Sequence, residues 1–250
     1  MIRRQNKVKR YTVCGVDYTM AELVQLSGDP TADPRLLEVL AKGHCTMEIY
    51  SRVAQNPALP IDALVGCIVH CTTEVLQNPA FRLHLVACPD SLDQLPTRER
   101  SAIAGCPAAD PRLIRTLAAS RSRPVRIRAE AALNPSTPVD MLVSFVRHDW
   151  RVRANLAFNP SMPVELQAVL ASDAKPEVQC NLATRHDLQD ETIELLLSSS
   201  VSGVEECLVR NRSIPESVRQ YIYERAGIAT PNTAAERWRS RNARMVRTYR

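Results

Sequence analysis

Apolar residues recur along this chain in pairs four positions apart, and the pairs follow a longer period. The pattern is clearest in the stretch FNPSMPVELQAVL, residues 158–170, where Leu166 and Leu170 follow the dipeptide Asn159-Pro160. A pair at positions i and i+4 places both side chains on one face of a helix. The stretch therefore predicts a helix with one buried face, beginning soon after the dipeptide.

This dipeptide, which we call the anchor, has equivalents about every 24–28 residues. The predicted anchors are Asp29-Pro30, Asn56-Pro57, Arg82-Leu83, Cys106-Pro107, Asn134-Pro135, Asn159-Pro160, Arg185-His186 and Asn211-Arg212. A sustained period of this length is typical of repeat proteins, and it predicts about eight repeats.

Each repeat is predicted to contain two helices, one on each side of its anchor. The pairs after the anchor include Leu36/Leu40, Ala63/Cys67, Met141/Phe145, Leu166/Leu170 and Thr192/Leu196. The pairs before it include Ile49/Val53, Ile127/Ala131, Val152/Leu156, Val178/Leu182 and Val204/Leu208, and predict a second, shorter helix. A proline four or five residues after most anchors is expected in the first turn of the following helix, where its missing N–H is not needed.

Two short helices cannot bury their own apolar face, so successive repeats are expected to stack into a solenoid with one continuous core. We predict this solenoid over residues 20–228, after a basic N-terminal segment and cap at residues 1–19. The repeat at residues 82–97 is the least regular, because Pro89 and Asp93 occupy its two apolar positions. We expect an irregularity there.

Composition supports a helical protein. Aromatic residues make up only 4% of the chain, whereas strands are rich in aromatic and β-branched residues. No apolar run approaches the roughly 18 residues that a membrane span needs. The charged N-terminus lacks the apolar region of a signal peptide, so we expect a cytoplasmic protein with reduced thiols.

The repeats resemble those of the leucine-rich repeat variant family. The resemblance rests on units such as DWRVRANLAFNPSMPVELQAVLA and AKPEVQCNLATRHDLQDETIELLLS, and it covers about residues 20–225. It implies an all-α, right-handed superhelix of alternating α- and short 3₁₀-type helices, without a β-sheet. The resemblance indicates the fold of the chain, but it says little about an activity.

The same resemblance implies an N-terminal cysteine cluster that holds an iron–sulfur centre. The corresponding region here contains Cys14, Cys45, Cys67 and Cys71, without a CxxC pair. Cys67 and Cys71 lie one helical turn apart with His70 beside them, and such ligands suit zinc or an iron–sulfur cluster. The cysteines also fit ordinary core positions of the repeat, and we predict no cofactor.

Arginine pairs provide the most informative functional pattern. Three successive repeats carry Arg-x-Arg at equivalent positions before the anchor: Arg98 and Arg100, Arg126 and Arg128, and Arg151 and Arg153. Stacked helices lie about 8–10 Å apart, so these arginines predict a basic ridge. Guanidinium groups in such a ridge bind phosphates or acidic protein surfaces. The alternative is a solvated row paired with Glu99, Glu130 and Asp149.

Charge is unevenly distributed around a net value of +5. Residues 229–250 contain six arginines with Trp238, Met245 and Tyr249 at helical spacing, which predicts a basic C-terminal helix or tail. This segment suits either a cap for the last repeat or a contact with a partner.

These patterns favour a non-catalytic scaffold that binds an acidic protein surface. No nucleophile motif, phosphate-binding glycine loop or HExxH pair is present, and we predict no enzymatic activity. Nucleic-acid binding through the arginines and the basic tails is the alternative function, and a cysteine-ligated metal or iron–sulfur protein is a second one.

Overall fold

The computed structural model describes residues 9–43, 46–119, 124–199, 201 and 203–225. These residues form seventeen α-helices and one two-stranded antiparallel sheet, which confirms a mainly helical protein. The strands are β1 (Arg10–Val13) and β2 (Val16–Thr19). The first nine helices are α1 (Met20–Ser27), α2 (Pro34–Lys42), α3 (Met47–Gln55), α4 (Ile61–Cys67), α5 (Thr72–Gln77), α6 (Pro79–Ala87), α7 (Ser91–Gln94), α8 (Thr97–Gly105) and α9 (Pro111–Ala118). The others are α10 (Val125–Leu133), α11 (Val139–Phe145), α12 (Trp150–Phe158), α13 (Leu166–Ala171), α14 (Pro176–Ala183), α15 (Asp190–Ser198), α16 (Val204–Arg210) and α17 (Glu216–Arg225).

Two compact units make up the chain, Met1–Met141 and Leu142–Arg250. In the first unit, α3 packs between α1 and α5, α4 packs between α2 and α6, and α8 packs on α10. In the second unit, α14 packs between α12 and α16, and α13 packs on α15. Within each unit, helices of the same position in successive repeats therefore lie side by side.

A β-hairpin precedes the helices, which corrects the expectation of a chain without a sheet. Arg10 pairs with Thr19 and Val13 with Val16, which leaves Cys14 and Gly15 as a two-residue turn. Both turn residues have positive φ angles, 52° and 79°, as in the type I′ turn that suits the twist of a hairpin. The turn signal is the Cys-Gly pair between runs of Tyr, Thr and Val.

The hairpin leads directly into α1. The Thr19 side chain accepts a hydrogen bond from the Glu22 N–H, and the Glu22 carboxylate accepts one from the Thr19 N–H, which forms a capping box. Helix α1 thus begins at Met20, the first residue of the predicted repeat region. The whole C-terminal segment predicted to be a basic helix or tail, residues 229–250, lies outside the described residues, as do residues 1–8 and Cys45.

The helices before the anchors are not consistently the shorter ones: α1, α5, α14 and α16 are shorter than the helices that follow them, as predicted, but four others are longer. Helices α3, α8, α10 and α12 have nine residues each, whereas α4 and α11 have seven and α13 has six. The prediction counted only the apolar pair and missed the polar first turn that precedes it. Short 3₁₀ helices do not appear among the described residues. The tighter geometry occurs at the helix ends: the Ala63 N–H donates to the Pro60 carbonyl at the start of α4, and the Asn56 N–H donates to the Val53 carbonyl at the end of α3.

Prolines mark the starts of the helices after the anchors. Pro34 and Pro111 are the first residues of α2 and α9, and Asp33 and Asp110 cap these helices. Pro60 lies one residue before α4. The predicted role is therefore correct to within one residue for these three prolines, whereas Pro163 lies three residues before α13.

The apolar pairs form the core in both units. Ile49 and Val53 on α3, and Val178 and Leu182 on α14, are at most 1% exposed. After the anchors, Leu36, Leu40, Phe145 and Leu170 are likewise buried. The apolar positions that the repeat period predicts are thus the residues that hold neighbouring helices together.

Asparagine side chains at the anchors link neighbouring repeats, a role that the sequence analysis missed. The Asn134 side-chain amide donates to the carbonyls of Ala104 and Cys106, each at 2.8 Å, and its Oδ1 accepts from the Ser136 N–H. Four anchors use this arrangement within one unit, and we call them the anchor asparagines: Asn56, Asn78, Asn134 and Asn211. All four are buried, so each amide satisfies carbonyls that water cannot reach.

The third anchor is Asn78-Pro79, and the predicted anchor Arg82-Leu83 is wrong. The Asn78 amide donates to the carbonyls of Ala54 and Asn56 at 2.8 and 3.0 Å, whereas Arg82 is an exposed residue inside α6. Here α6 begins directly after the anchor, and the four-residue α7 occupies the next segment. The expected irregularity is therefore present, and it consists of a displaced anchor and an additional helix.

The second unit replaces one anchor asparagine with Arg185. Its guanidinium donates to the carbonyls of Ala157 and Asn159 at 3.0 and 2.7 Å, which are the bonds that asparagine makes elsewhere. The remaining donors bind the Asp187 carboxylate. Arg185 is 8% exposed, so this arginine is a structural residue.

Candidate binding groove

The two arginines of each Arg-x-Arg pair occupy different environments. Residues two apart on an α-helix are separated by about 200°, so they cannot share one face. The first arginine of each pair is exposed: Arg98, Arg126 and Arg151. The second is half-buried or buried: Arg100, Arg128 and Arg153. The predicted ridge of six arginines thus reduces to one exposed arginine per repeat.

The second arginines contact the body of the protein. In the second unit, Arg153 forms an ion pair with Asp173 and donates to the His148 carbonyl. The hydrogen bonds to the Asp173 carboxylate raise the pKa of the Arg153 guanidinium. In the first unit, Arg128 is 8% exposed, and the Nε of Arg100 is buried. Arginine at this position joins α12 to the loop before α14, and it is unsuited to an external ligand.

Arg151, the exposed arginine of the second unit, has local partners. Its guanidinium lies 4.8 Å from the centre of the Trp150 ring and 3.6 Å from the Asp149 carboxylate. Arg151 therefore pairs with Asp149 as in the paired-row alternative, whereas the ion pair of Arg153 is with Asp173, which that alternative did not include.

The first unit differs, because Arg98 and Arg126 line one groove with a volume of about 580 Å³. They are equivalent residues of α8 and α10, which pack side by side. With the third anchor at Asn78, the equivalent residue of the preceding repeat is His70, which also lines the groove. We call Arg98 and Arg126 the basic row. Neither has an ion pair or a hydrogen-bond partner for its side chain among the described residues.

Small residues of α8 form the floor of the groove, and longer side chains of α5 and α10 form its walls. The lining includes Ser101, Ala102 and Gly105 from α8, with Glu74 from α5 and Glu130 from α10. A Cβ atom at Gly105 would lie only 3.1 Å from Glu130 Oε2, so the glutamate side chain extends over this glycine. The groove exists because α8 carries small side chains where its neighbours carry glutamate.

Glu74 and Glu130, which we call the acidic row, lie one helical turn after the positions of His70 and Arg126. The Glu74 carboxylate accepts a hydrogen bond from the Ser51 hydroxyl at 2.9 Å. No partner for the Glu130 carboxylate occurs in the described part of the chain. The groove therefore presents one basic and one acidic row, separated by about 5.4 Å along the helix axes.

Ser101 places an unsatisfied polar group in this groove. The residue is 3% exposed, and its hydroxyl has no hydrogen-bond partner in the described structure. A buried hydroxyl without a partner costs about 1–3 kcal/mol, so a ligand that bonds to Ser101 would recover stabilisation. Glu74 could not be identified from a constant repeat period, because its place in the groove depends on the displaced anchor at Asn78. Nothing in the sequence marks Ser101 as a buried hydroxyl without a partner.

The candidate metal ligands are not assembled into a site. Cys67 and Cys71 are buried, His70 is exposed, and no group of three potential metal ligands occurs among the described residues. Burial raises the pKa of the Cys67 thiol, although a hydrogen bond to Tyr50 opposes the shift. Burial, together with the negative charge of Glu74, raises the pKa of Cys71 to about 11. Both thiols are consequently protonated at neutral pH in the metal-free protein.

We expect iodoacetamide at pH 7 to modify Cys14 and Cys88 well before Cys67 and Cys71. The first two are exposed, whereas a thiol with a pKa near 11 carries a thiolate in about one molecule in ten thousand. Mass spectrometry of the native protein over a time course measures the order. Modification of Cys71 as fast as that of Cys14 would contradict the buried, neutral environment, and unfolding in urea should abolish the difference.

Among the described residues, no helix combines the length and the apolar character needed to cross a membrane. Comparison with known proteins found no match to this chain among protein-family models, curated proteins or solved structures.

Proposed function

We propose that this chain is a non-catalytic binding scaffold of the leucine-rich repeat variant type, a helical solenoid that recognises an acidic segment of a partner protein. The side-by-side packing of equivalent helices within each unit supports the solenoid. The basic row in the groove of the first unit carries the functional proposal.

The decisive observation is that Arg98 and Arg126 share a groove without internal partners among the described residues. Other exposed arginines of equivalent position, such as Arg151, are held by neighbouring aromatic or acidic side chains. An unpaired guanidinium keeps its donors available for a carboxylate, which it binds through two parallel hydrogen bonds. A protein carboxylate suits this groove better than a phosphate chain, because Glu74 and Glu130 repel a continuous row of negative charges.

Selection from a random peptide library displayed on phage tests this function without a known partner. We expect the protein to enrich peptides rich in Asp and Glu. The double variant Arg98→Glu/Arg126→Glu should bind the selected peptides about tenfold or more weakly, because it replaces attraction with repulsion. Fluorescence anisotropy with synthetic copies measures the affinity, and it should fall as salt increases.

Arg112→Glu is the matched control, since Arg112 is an exposed arginine of α9 outside the groove. This variant should retain the affinity of the wild type. Selected peptides that bind the double variant and the wild type equally would refute the proposed role of the basic row. Retention of DNA or RNA through Arg98 and Arg126, without binding of acidic peptides, would instead establish the nucleic-acid alternative.

A further inference from the structure

The charges that line the groove indicate more about its ligand than that the ligand is acidic. The basic row lies on α8 and α10, the acidic row lies on α5 and α10, and small residues of α8 form the floor between them. A ligand that fills the groove must satisfy both signs of charge. A purely acidic segment would satisfy Arg98 and Arg126 and leave Glu130 next to like charges.

We infer that the groove binds an extended peptide segment with alternating acidic and basic residues, lying across α5, α8 and α10. This inference rests on the proposed function. Successive side chains of an extended strand point in opposite directions, so alternating charges place all acids on one side and all bases on the other. The acids then face the basic row while the bases face the acidic row.

The spacing of the groove suits an extended backbone. Residues on one side of a strand recur about every 7 Å, which is close to the roughly 8–10 Å between the neighbouring helices that carry Arg98 and Arg126. Arginine and glutamate side chains are long enough to span this difference. Glu74 and Glu130 lie two helices apart, so the bases that reach them are four residues apart in the peptide. A helical ligand suits the groove less well, because alternating charges on a helix place like charges at positions i and i+4.

Ser101 supplies the contact to the backbone of the peptide. Its hydroxyl is buried between the two rows and has no partner among the described residues. Ala102 beside it lacks a long side chain, so a main chain can approach this part of the floor closely. A peptide N–H or carbonyl would satisfy the Ser101 hydroxyl whatever the side chains of the ligand are.

Three fluorescein-labelled peptides of about twelve residues test the inference by anisotropy: an alternating Glu-Lys peptide, a block peptide with the same residues as six Glu then six Lys, and an alternating Glu-Ser peptide. We expect the alternating Glu-Lys peptide to bind about tenfold more tightly than the block peptide, because only alternation matches both rows.

The variant Glu130→Lys should change the affinities of two peptides in opposite directions. It should weaken binding of the alternating Glu-Lys peptide, because the introduced ammonium group would repel the lysines of that peptide. It should strengthen binding of the Glu-Ser peptide, because the charge that repels its acids is gone. A general loss of folding cannot produce such a reversal. Glu194→Lys, at an exposed residue of α15, is the matched control and should change neither affinity.

Ser101→Ala should weaken all peptides that bind, about two- to fivefold, since it removes a contact with the main chain. Equal affinity for the alternating and block peptides, or weakening of both alternating peptides by Glu130→Lys, would overturn the inference while leaving the proposed function intact. If neither alternating peptide binds at low salt, the proposed function fails as well.

Discussion

Replacement of Asn78 by alanine is expected to lower the free energy of unfolding by about 2–4 kcal/mol. The substitution leaves the buried carbonyls of Ala54 and Asn56 without their donor and removes the acceptor for the Ala80 N–H. Each buried polar group without a partner costs about 1–3 kcal/mol, and a lost helix cap adds about 1 kcal/mol. Urea denaturation monitored by circular dichroism measures the change in the free energy of unfolding.

Arg82→Ala is an informative control for this experiment. Arg82 occupies the position that a regular period assigns to the third anchor, yet it is exposed on α6. We expect Arg82→Ala to change the free energy of unfolding by less than about 0.5 kcal/mol, as is usual for exposed positions. If Arg82→Ala lowered the free energy of unfolding more than Asn78→Ala does, Arg82-Leu83 would be the anchor, as a regular period predicts, and Asn78-Pro79 would not.

Replacement of Arg185 by leucine should be similarly costly, at about 2–4 kcal/mol. Leucine fills much of the volume but leaves the carbonyls of Ala157 and Asn159 without donors and Asp187 without its ion pair. Arg185→Asn should recover part of this loss, because asparagine makes the two carbonyl bonds at other anchors. Equal unfolding midpoints for the leucine and asparagine variants would show that Arg185 is not an anchor equivalent.

The Arg185 variants should also differ from the wild type in their response to acid. Hydrogen bonds from Arg185 hold the pKa of Asp187 below its ordinary value. A lowered folded-state pKa stabilises the protein above the pKa of the unfolded chain, and this stabilisation is lost as pH falls through the folded value. The contribution of Asp187 to acid sensitivity, below about pH 4, should therefore disappear in Arg185→Asn.

Much of the fold could be predicted because its periodic contacts are apolar. The pairs Ile49/Val53 and Val178/Leu182 report the buried helix faces directly, since burial and the helical period determine where apolar residues stand. The displaced anchor could not be found by enforcing a constant period. Asn78-Pro79 is visible in the sequence, but the interval from Asn56 contracts because α5, the helix before this anchor, has only six residues.

The candidate site was predicted only in part. The sequence showed that Arg98 and Arg126 occupy equivalent positions, which is sufficient to place them on neighbouring helices. It did not show which arginine of each pair is exposed, because this depends on where the helix begins relative to its apolar face. The groove itself depends on the small residues Ala102 and Gly105 of α8, which lie opposite Glu130 on α10. A pattern common to all repeats does not show this difference between neighbouring repeats.

Cys106 gives the two walls of the groove different mechanical properties. It occupies an anchor position but has no amide to donate, and its sulfur contacts the Thr73 hydroxyl at 3.5 Å instead. On the other side, Asn134 fastens α10 to the end of α8 with two short hydrogen bonds to main-chain carbonyls. We therefore expect the wall that carries Glu130 to be held more firmly than the wall that carries Glu74. Ligands of different width are then expected to displace α5, while the spacing between Arg98 and Arg126 stays constant.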